Sequence, residues 1–140
     1  MRVFLGGTYS ESASEWRDEI MPMLDEAGIE YFNPLVDDWN DEAQTRELQE
    51  RATCDFCLYT ITPKMTGVYS IAEVVDDSNK NPEGTVLVLL REHDGSRFSD
   101  KAWFSLRAVS ALVKRNGAAV FYDLTHAVLY LCRRNREGKQ

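Results

Sequence analysis

The sequence is poor in histidine, in cysteine and in long apolar runs, and each shortage closes off a class of function. Only two histidines occur, His93 and His126, far apart in the chain. A metal site needs several converging His, Cys or carboxylate ligands, so no metal is expected. Three cysteines make an odd set with no secretory framework. Cys54 and Cys57 have C-x-x-C spacing but lie in an apolar run that reads as a strand. A redox pair wants a helix N-terminus that lowers a thiol pKa, so these read as buried structural thiols. No apolar run is long enough to cross a bilayer, and the opening residues do not read as a secretory leader. A cytoplasmic protein with no membrane partner is expected. Cations are outnumbered, with 16 Lys and Arg against 23 Asp and Glu and a net charge of −7. Such a surface repels phosphate backbones, so no nucleic-acid partner is expected. The exception is the basic stretch 133–139, read as a solvated helix end whose cations suit a helix C-terminus.

What remains is a chain of 140 residues, 44% of them hydrophobic. That fits one domain, residues 1–140, with a real core. Strand-like and helix-like segments alternate. Arg2–Leu5 reads as a first strand, and Ser12 or Ser14 as the cap of a helix running to Ala27 with Pro22 inside it. Ile29–Phe32 reads as a second strand, Glu42–Ala52 as a helix charged on most sides, and Cys54–Ile61 as a third strand. Tyr69–Ser78 reads as a helix, Thr85–Leu90 as a fourth strand, and Arg91–Ser99 as a polar, mobile loop. A helix capped at Ser99 or Asp100 runs to Arg115, followed by a strand over Ala118–Tyr122 and a helix over Leu124–Arg134. The strands are apolar at consecutive positions, which is the mark of a parallel sheet covered on both faces. The expected fold is a flavodoxin-like doubly wound α/β sheet of five strands in the order 2-1-3-4-5. Ligands bind such sheets at the switch point between strands 1 and 3. Segments 6–10, 33–40 and 60–73 should therefore line one cleft.

Three stretches in those segments can carry chemistry. Gly6-Gly7-Thr8-Tyr9 lets backbone approach a ligand, or simply makes a tight strand-to-helix turn. It is neither a dinucleotide fingerprint nor a P-loop. The Ser/Thr-rich phosphate loop that a flavin would want is only partly present, and no cofactor is expected. Asn33-Pro34 followed by Asp37-Asp38-Trp39 combines turn residues with an aromatic face. It suits a base stacked on Trp39 beside carboxylates that accept from amino groups, or a Trp packed on the helix below. The strongest signal is Thr62-Pro63-x-x-Thr66-Gly67-x-Tyr69-Ser70-x-x-Glu73. Glu73 lies on a helix between Ile71-Ala72 and Val74-Val75, and it faces the cleft if Tyr69 and Asp76 share its side. A carboxylate there suits attack on an anomeric carbon.

Phe4-Leu5-Gly6-Gly7-Thr8, Trp16, Asn33-Pro34, Asp37-Asp38-Trp39, Asp55, Thr60-x-Thr62-Pro63 and Ser70-x-x-Glu73 together resemble the nucleoside 2-deoxyribosyltransferase-like family. The resemblance implies exchange or cleavage of the N-glycosidic bond of a (2′-deoxy)nucleoside or nucleotide. Glu73 is then the nucleophile and Tyr9 its aromatic partner. Gly6, Gly7, Thr8, Asn33, Asp37, Asp38, Trp39, Thr62, Gly67 and Ser70 bind substrate, and Asp55 falls where a strand acid recurs. The expected partners are a small-molecule nucleoside or nucleotide and further copies of the chain, a dimer or larger.

Two departures weigh against base exchange while leaving glycosidic cleavage open. Members of the family place an Asn from a neighbouring subunit against the sugar, and no Asn occurs in 93–101. Some transferases end in a carboxylate that reaches the site, whereas this chain ends in cations. Arg97 and Lys101 read as phosphate contacts or as solvated cations. His93 is a candidate base only if its loop reaches the cleft. The alternatives are a nucleoside 5′-monophosphate N-glycosidase and a non-catalytic nucleotide-binding module.

Overall fold

The computed structural model describes residues 1–9, 15–35 and 40–139. In chain order the elements are β1 (Arg2–Gly7), α1 (Trp16–Glu26), β2 (Glu30–Phe32), α2 (Asp41–Thr53), β3 (Phe56–Ile61) and α3 (Tyr69–Lys80). After a short 3-10 turn, Pro82–Gly84, come β4 (Thr85–Leu89), β5 (Glu92–His93), β6 (Ser96–Arg97), α4 (Asp100–Arg115), β7 (Ala119–Phe121) and α5 (Leu124–Gly138). Five strands form one parallel sheet in the order β2-β1-β3-β4-β7. This is the expected flavodoxin-like order, with β7 as its fifth strand.

The sheet is buried on both faces because its strands are apolar at successive positions. Val3 and Leu5 of β1 turn to one side with Trp16, Ile20, Leu24 and Leu131. Phe4, between them, turns to the other side with Tyr59, Val74, Leu89 and Val113. Helices α1 and α5 thus cover one face, and α3 and α4 the other. No helix of the described chain is long and apolar enough to cross a membrane.

Helix α2 is different, because none of its side chains is buried. Polar anchors hold it instead. Glu50 receives a two-pronged contact from Arg2, with both N–O distances at 3.0 Å. Arg51 reaches across to Tyr59 and Asp77.

The sequence expectations need three corrections. Ser12 and Ser14 lie outside the described residues, and the cap of α1 is Glu15, whose carboxylate accepts from the backbone N–H of Arg17 at 2.9 Å. The stretch expected to be a mobile loop contains a two-stranded antiparallel hairpin, β5–β6. Asp94 and Gly95 both take positive φ at its tip, the geometry that tight hairpin turns require. Cys54 does not belong to β3 but ends α2, its backbone N–H donating to the Glu50 carbonyl.

Candidate active site

The C-terminal ends of β1 and β3 open onto a cleft of about 520 Å³, a size that suits a small molecule. Gly6, Gly7 and Tyr9 line it from the end of β1, and Pro34 and Leu35 from the segment after β2. Arg17 reaches it from α1 and Glu47 from α2. Ser70 and Glu73 come from α3. A smaller recess of about 190 Å³ shares Gly7, Tyr9 and Ser70 with the cleft and adds Thr8, Thr66 and Gly67.

Ser70 and Glu73 meet because residues three apart share a helix face. Neither Tyr69 nor Asp76 lines the cleft itself. Tyr69 lines the smaller recess, and Asp76 lines a groove behind α3 together with Asp77 and Cys57. Glu73 is 8% exposed, so its carboxylate is largely dehydrated. Burial is the main force pushing its pKa up, to about 7; the Arg51 cation opposes it, and the charges of Glu47 and Asp77 add to it. Glu47 is pushed up too, by burial first, against the attraction of Arg17 and Arg51. Burial in the same cleft thus favours the neutral form of both carboxyls.

The glycines have a packing reason of their own. A Cβ on Gly6 would stand 2.6 Å from the Tyr59 ring. At Gly7, where φ is +120°, it would stand 2.2 Å from the Thr60 carbonyl oxygen. The chain then turns under tight control. The Thr8 N–H donates to the Thr60 carbonyl at 2.8 Å, and the Thr8 hydroxyl accepts from the Thr62 N–H at 3.0 Å. Thr62 is itself buried and binds the loop rather than lining the cleft.

Arg17 locks this turn from below. Its guanidinium donates to the carbonyls of Leu5 at 2.9 Å and Thr8 at 3.0 Å, and to Glu15 at 2.7 Å. The pair is almost wholly buried. Burial pushes Glu15 up and Arg17 down, and their mutual attraction opposes both shifts.

Tyr9 lines both cavities and is half exposed. Among the described residues no hydrogen bond joins it to Glu73. Asn33 folds its own loop, its carbonyl oxygen accepting from the Leu35 N–H at 3.1 Å. Asp37, Asp38 and Trp39 lie outside the described residues. Asp55 sits at the opposite end of the sheet, where it accepts from the Arg2 N–H at 2.8 Å. His93 contacts Glu19 of α1 at 2.7 Å and does not line the cleft. Arg97 pairs with Glu92 across the hairpin. His126 caps α5 with Asp123. Cys54 and Cys57 are buried, and burial pushes their thiols up to about 11 and about 12.

Sequence reasoning missed Arg17, Glu47 and Arg51. Arg17 left a signal, since it shares the apolar stripe of Ile20 and Leu24 at helical spacing, and a charge there needs a buried partner. Glu47 and Arg51 left none, because α2 has no apolar face against which to set them.

These features define a class: a flavodoxin-like α/β protein whose cleft, at the switch point of the sheet, is walled by two carboxylates. Residues 1–92 match the model of the family described as nucleoside 2-deoxyribosyltransferase like, and the chain belongs to that family. Every described residue that lines the cleft falls inside the matched segment. No curated protein and no solved structure matches the chain.

Proposed function

We propose that the protein cleaves or exchanges the N-glycosidic bond of a (2′-deoxy)nucleoside or nucleotide, with Glu73 as nucleophile. The observation that carries this reading is the Glu73 carboxylate, buried yet facing the cleft beside a second acid. Family membership supplies the substrate class.

In the first step an oxygen of Glu73 bonds to C1′ of the sugar as the C1′–N bond breaks. The electron pair leaves with the base, and Glu47 gives a proton to its nitrogen. A deoxyribosyl ester on Glu73 results. In the second step a new base, or water, attacks C1′ and gives its proton back to Glu47, and the ester carboxylate departs. Burial suits both steps. A dehydrated carboxylate is a stronger nucleophile, and a carboxyl whose pKa burial raises can serve as acid in the first step and as base in the second. Tyr9 and Ser70, which line the cleft, are the proposed contacts to the sugar. Asp37, Asp38 and Trp39 belong to the segment that would meet the base.

The test is incubation with deoxynucleosides and deoxynucleotides, with and without free adenine, and chromatography of the bases. Release of base without acceptor marks hydrolysis, and a rate that needs adenine marks transfer. Glu73→Gln should lose at least about a thousandfold in rate, since it removes the nucleophile itself. Full turnover in that variant would end the proposal. Tight binding with no turnover in the wild type would point instead to a binding module.

A further inference from the structure

Behind the cleft lies a polar cluster that the proposed reaction does not yet use. Arg51, in the last turn of α2, spreads its guanidinium over several acceptors. Nη2 donates to Asp77 Oδ1 at 2.8 Å, and Nε donates to the Tyr59 hydroxyl at 2.9 Å. Tyr59, fully buried, donates a hydrogen bond from its hydroxyl to Asp77 Oδ2 at 2.5 Å. Nη2 also stands 3.5 Å from the Glu73 carbonyl, and Nε stands 3.5 Å from Glu73 Oε2. The Arg51 side chain is 17% exposed, so water screens these contacts little.

We infer that Arg51 is a positioning residue for the reaction, holding the Glu73 carboxylate ionised and aimed into the cleft, while Asp77 and Tyr59 limit how much of that cation Glu73 receives. This rests on Glu73 being the nucleophile. The short contacts go to Asp77 and Tyr59, and the long one goes to Glu73. A full ion pair with Arg51 would drain the basicity that a nucleophile needs. With no cation nearby, a carboxylate this dehydrated would be mostly neutral and inert. A shared cation gives the intermediate state. The direction of each influence on Glu73 agrees, with Arg51 lowering its pKa and Asp77 raising it. The charged and titratable groups around Glu73 are Arg51 and Glu47 from α2, Asp76 and Asp77 from its own helix, Tyr59 from β3, and Arg17 across the cleft.

The test reads the ionisation of Glu73 directly and turnover separately. Carbon-13 NMR titration of the glutamate carboxyls, with the signal assigned by its loss in Glu73→Gln, gives the first. The pH profile of kcat gives the second. Arg51→Gln should move the Glu73 titration up by about one pH unit or more, and lower the rate on the acid limb about tenfold. Arg51→Lys, which keeps a cation, should recover most of the profile. Asp77→Asn removes the carboxylate that competes for Arg51 and that raises the Glu73 pKa, and should move the titration down. Opposite movements are the signature, because a merely structural role would not reverse sign between the two variants. If Arg51→Gln does not fold, Asp77→Asn carries the test alone. A Glu73 titration that stays at its wild-type position in every folded variant overturns the inference. Turnover that survives Glu73→Gln is a separate result, which removes the nucleophile and with it the reason for positioning it.

Discussion

Arg51 Nε stands 3.5 Å from Glu73 Oε2, while Nη2 of the same guanidinium stands 2.8 Å from Asp77 Oδ1. The nearer carboxylate belongs to the cluster behind α3, and the farther one belongs to the cleft. The acid that faces the cleft is therefore the less neutralised of the two. It carries an unfavourable charge inside the fold, and a stability cost follows from that.

Glu73 has a folded pKa of about 7 against an ordinary 4.5. Between those values the native state holds more protons than the unfolded chain, so stability falls as pH rises through the window. The cost is absent below pH 4.5 and complete above 7. Glu73→Gln should therefore be more stable than wild type at pH 8, by at most about 3 kcal/mol, and indistinguishable at pH 4. Urea denaturation at the two pH values measures it. An equal difference at both would show that Glu73 is not charged against its surroundings.

Glu47→Gln tests the proton donor. The variant keeps the nucleophile but cannot protonate the leaving base, so its rate should fall about 10²- to 10⁴-fold. Nucleosides whose base leaves without protonation should lose far less. A uniform loss across good and poor leaving groups would assign Glu47 to binding.

Arg17→Met should cost about 3–5 kcal/mol of stability. It strands the Glu15 carboxylate in the interior and frees the carbonyls of Leu5 and Thr8. That is a large part of the stability of an ordinary domain, and a denaturation midpoint near that of wild type would contradict it.

Gly7→Ala should cost at least about 3 kcal/mol, because the added carbon meets the Thr60 carbonyl and the φ of +120° is strained for any other residue. Gly95→Ala is the control. Its φ is +77°, but the space around it is open, so the cost should be about 1 kcal/mol. Thermal melts of the two compare them.

Cys54 and Cys57 should resist alkylation by iodoacetamide in the folded protein at pH 8, since thiols held near 11 and 12 are scarcely ionised there. Mass spectrometry after a timed exposure reports it, and rapid labelling of either would show that its site opens.

The layered fold was legible because consecutive apolar residues in Val3–Leu5 and Val86–Leu89 can only suit a strand covered on both sides. The hairpin was not, because each of its strands spans two residues, too few for any periodicity. Its one cue was the Asp94-Gly95 pair at the tip. In the cleft, Glu73 stood out as a charge among apolar neighbours. Arg51 and Glu47 did not, because a helix charged on every side offers no contrast. Their importance comes from what α2 lies against, which is a property of tertiary contact rather than of local pattern.

Helix α2 faces the cleft through Glu47 and is tied to the interior by Arg51, although none of its residues is fully buried. One wall of the cleft thus rests on polar anchors, while the opposite wall, with Gly7 and Arg17, belongs to the packed fold. Exposed positions 41, 42, 44, 45 and 49 line no part of the cleft, so the sequence can drift there while Glu47 and Arg51 are held in place. Sequence drift would gather on the outer side of this helix and spare its two inward positions.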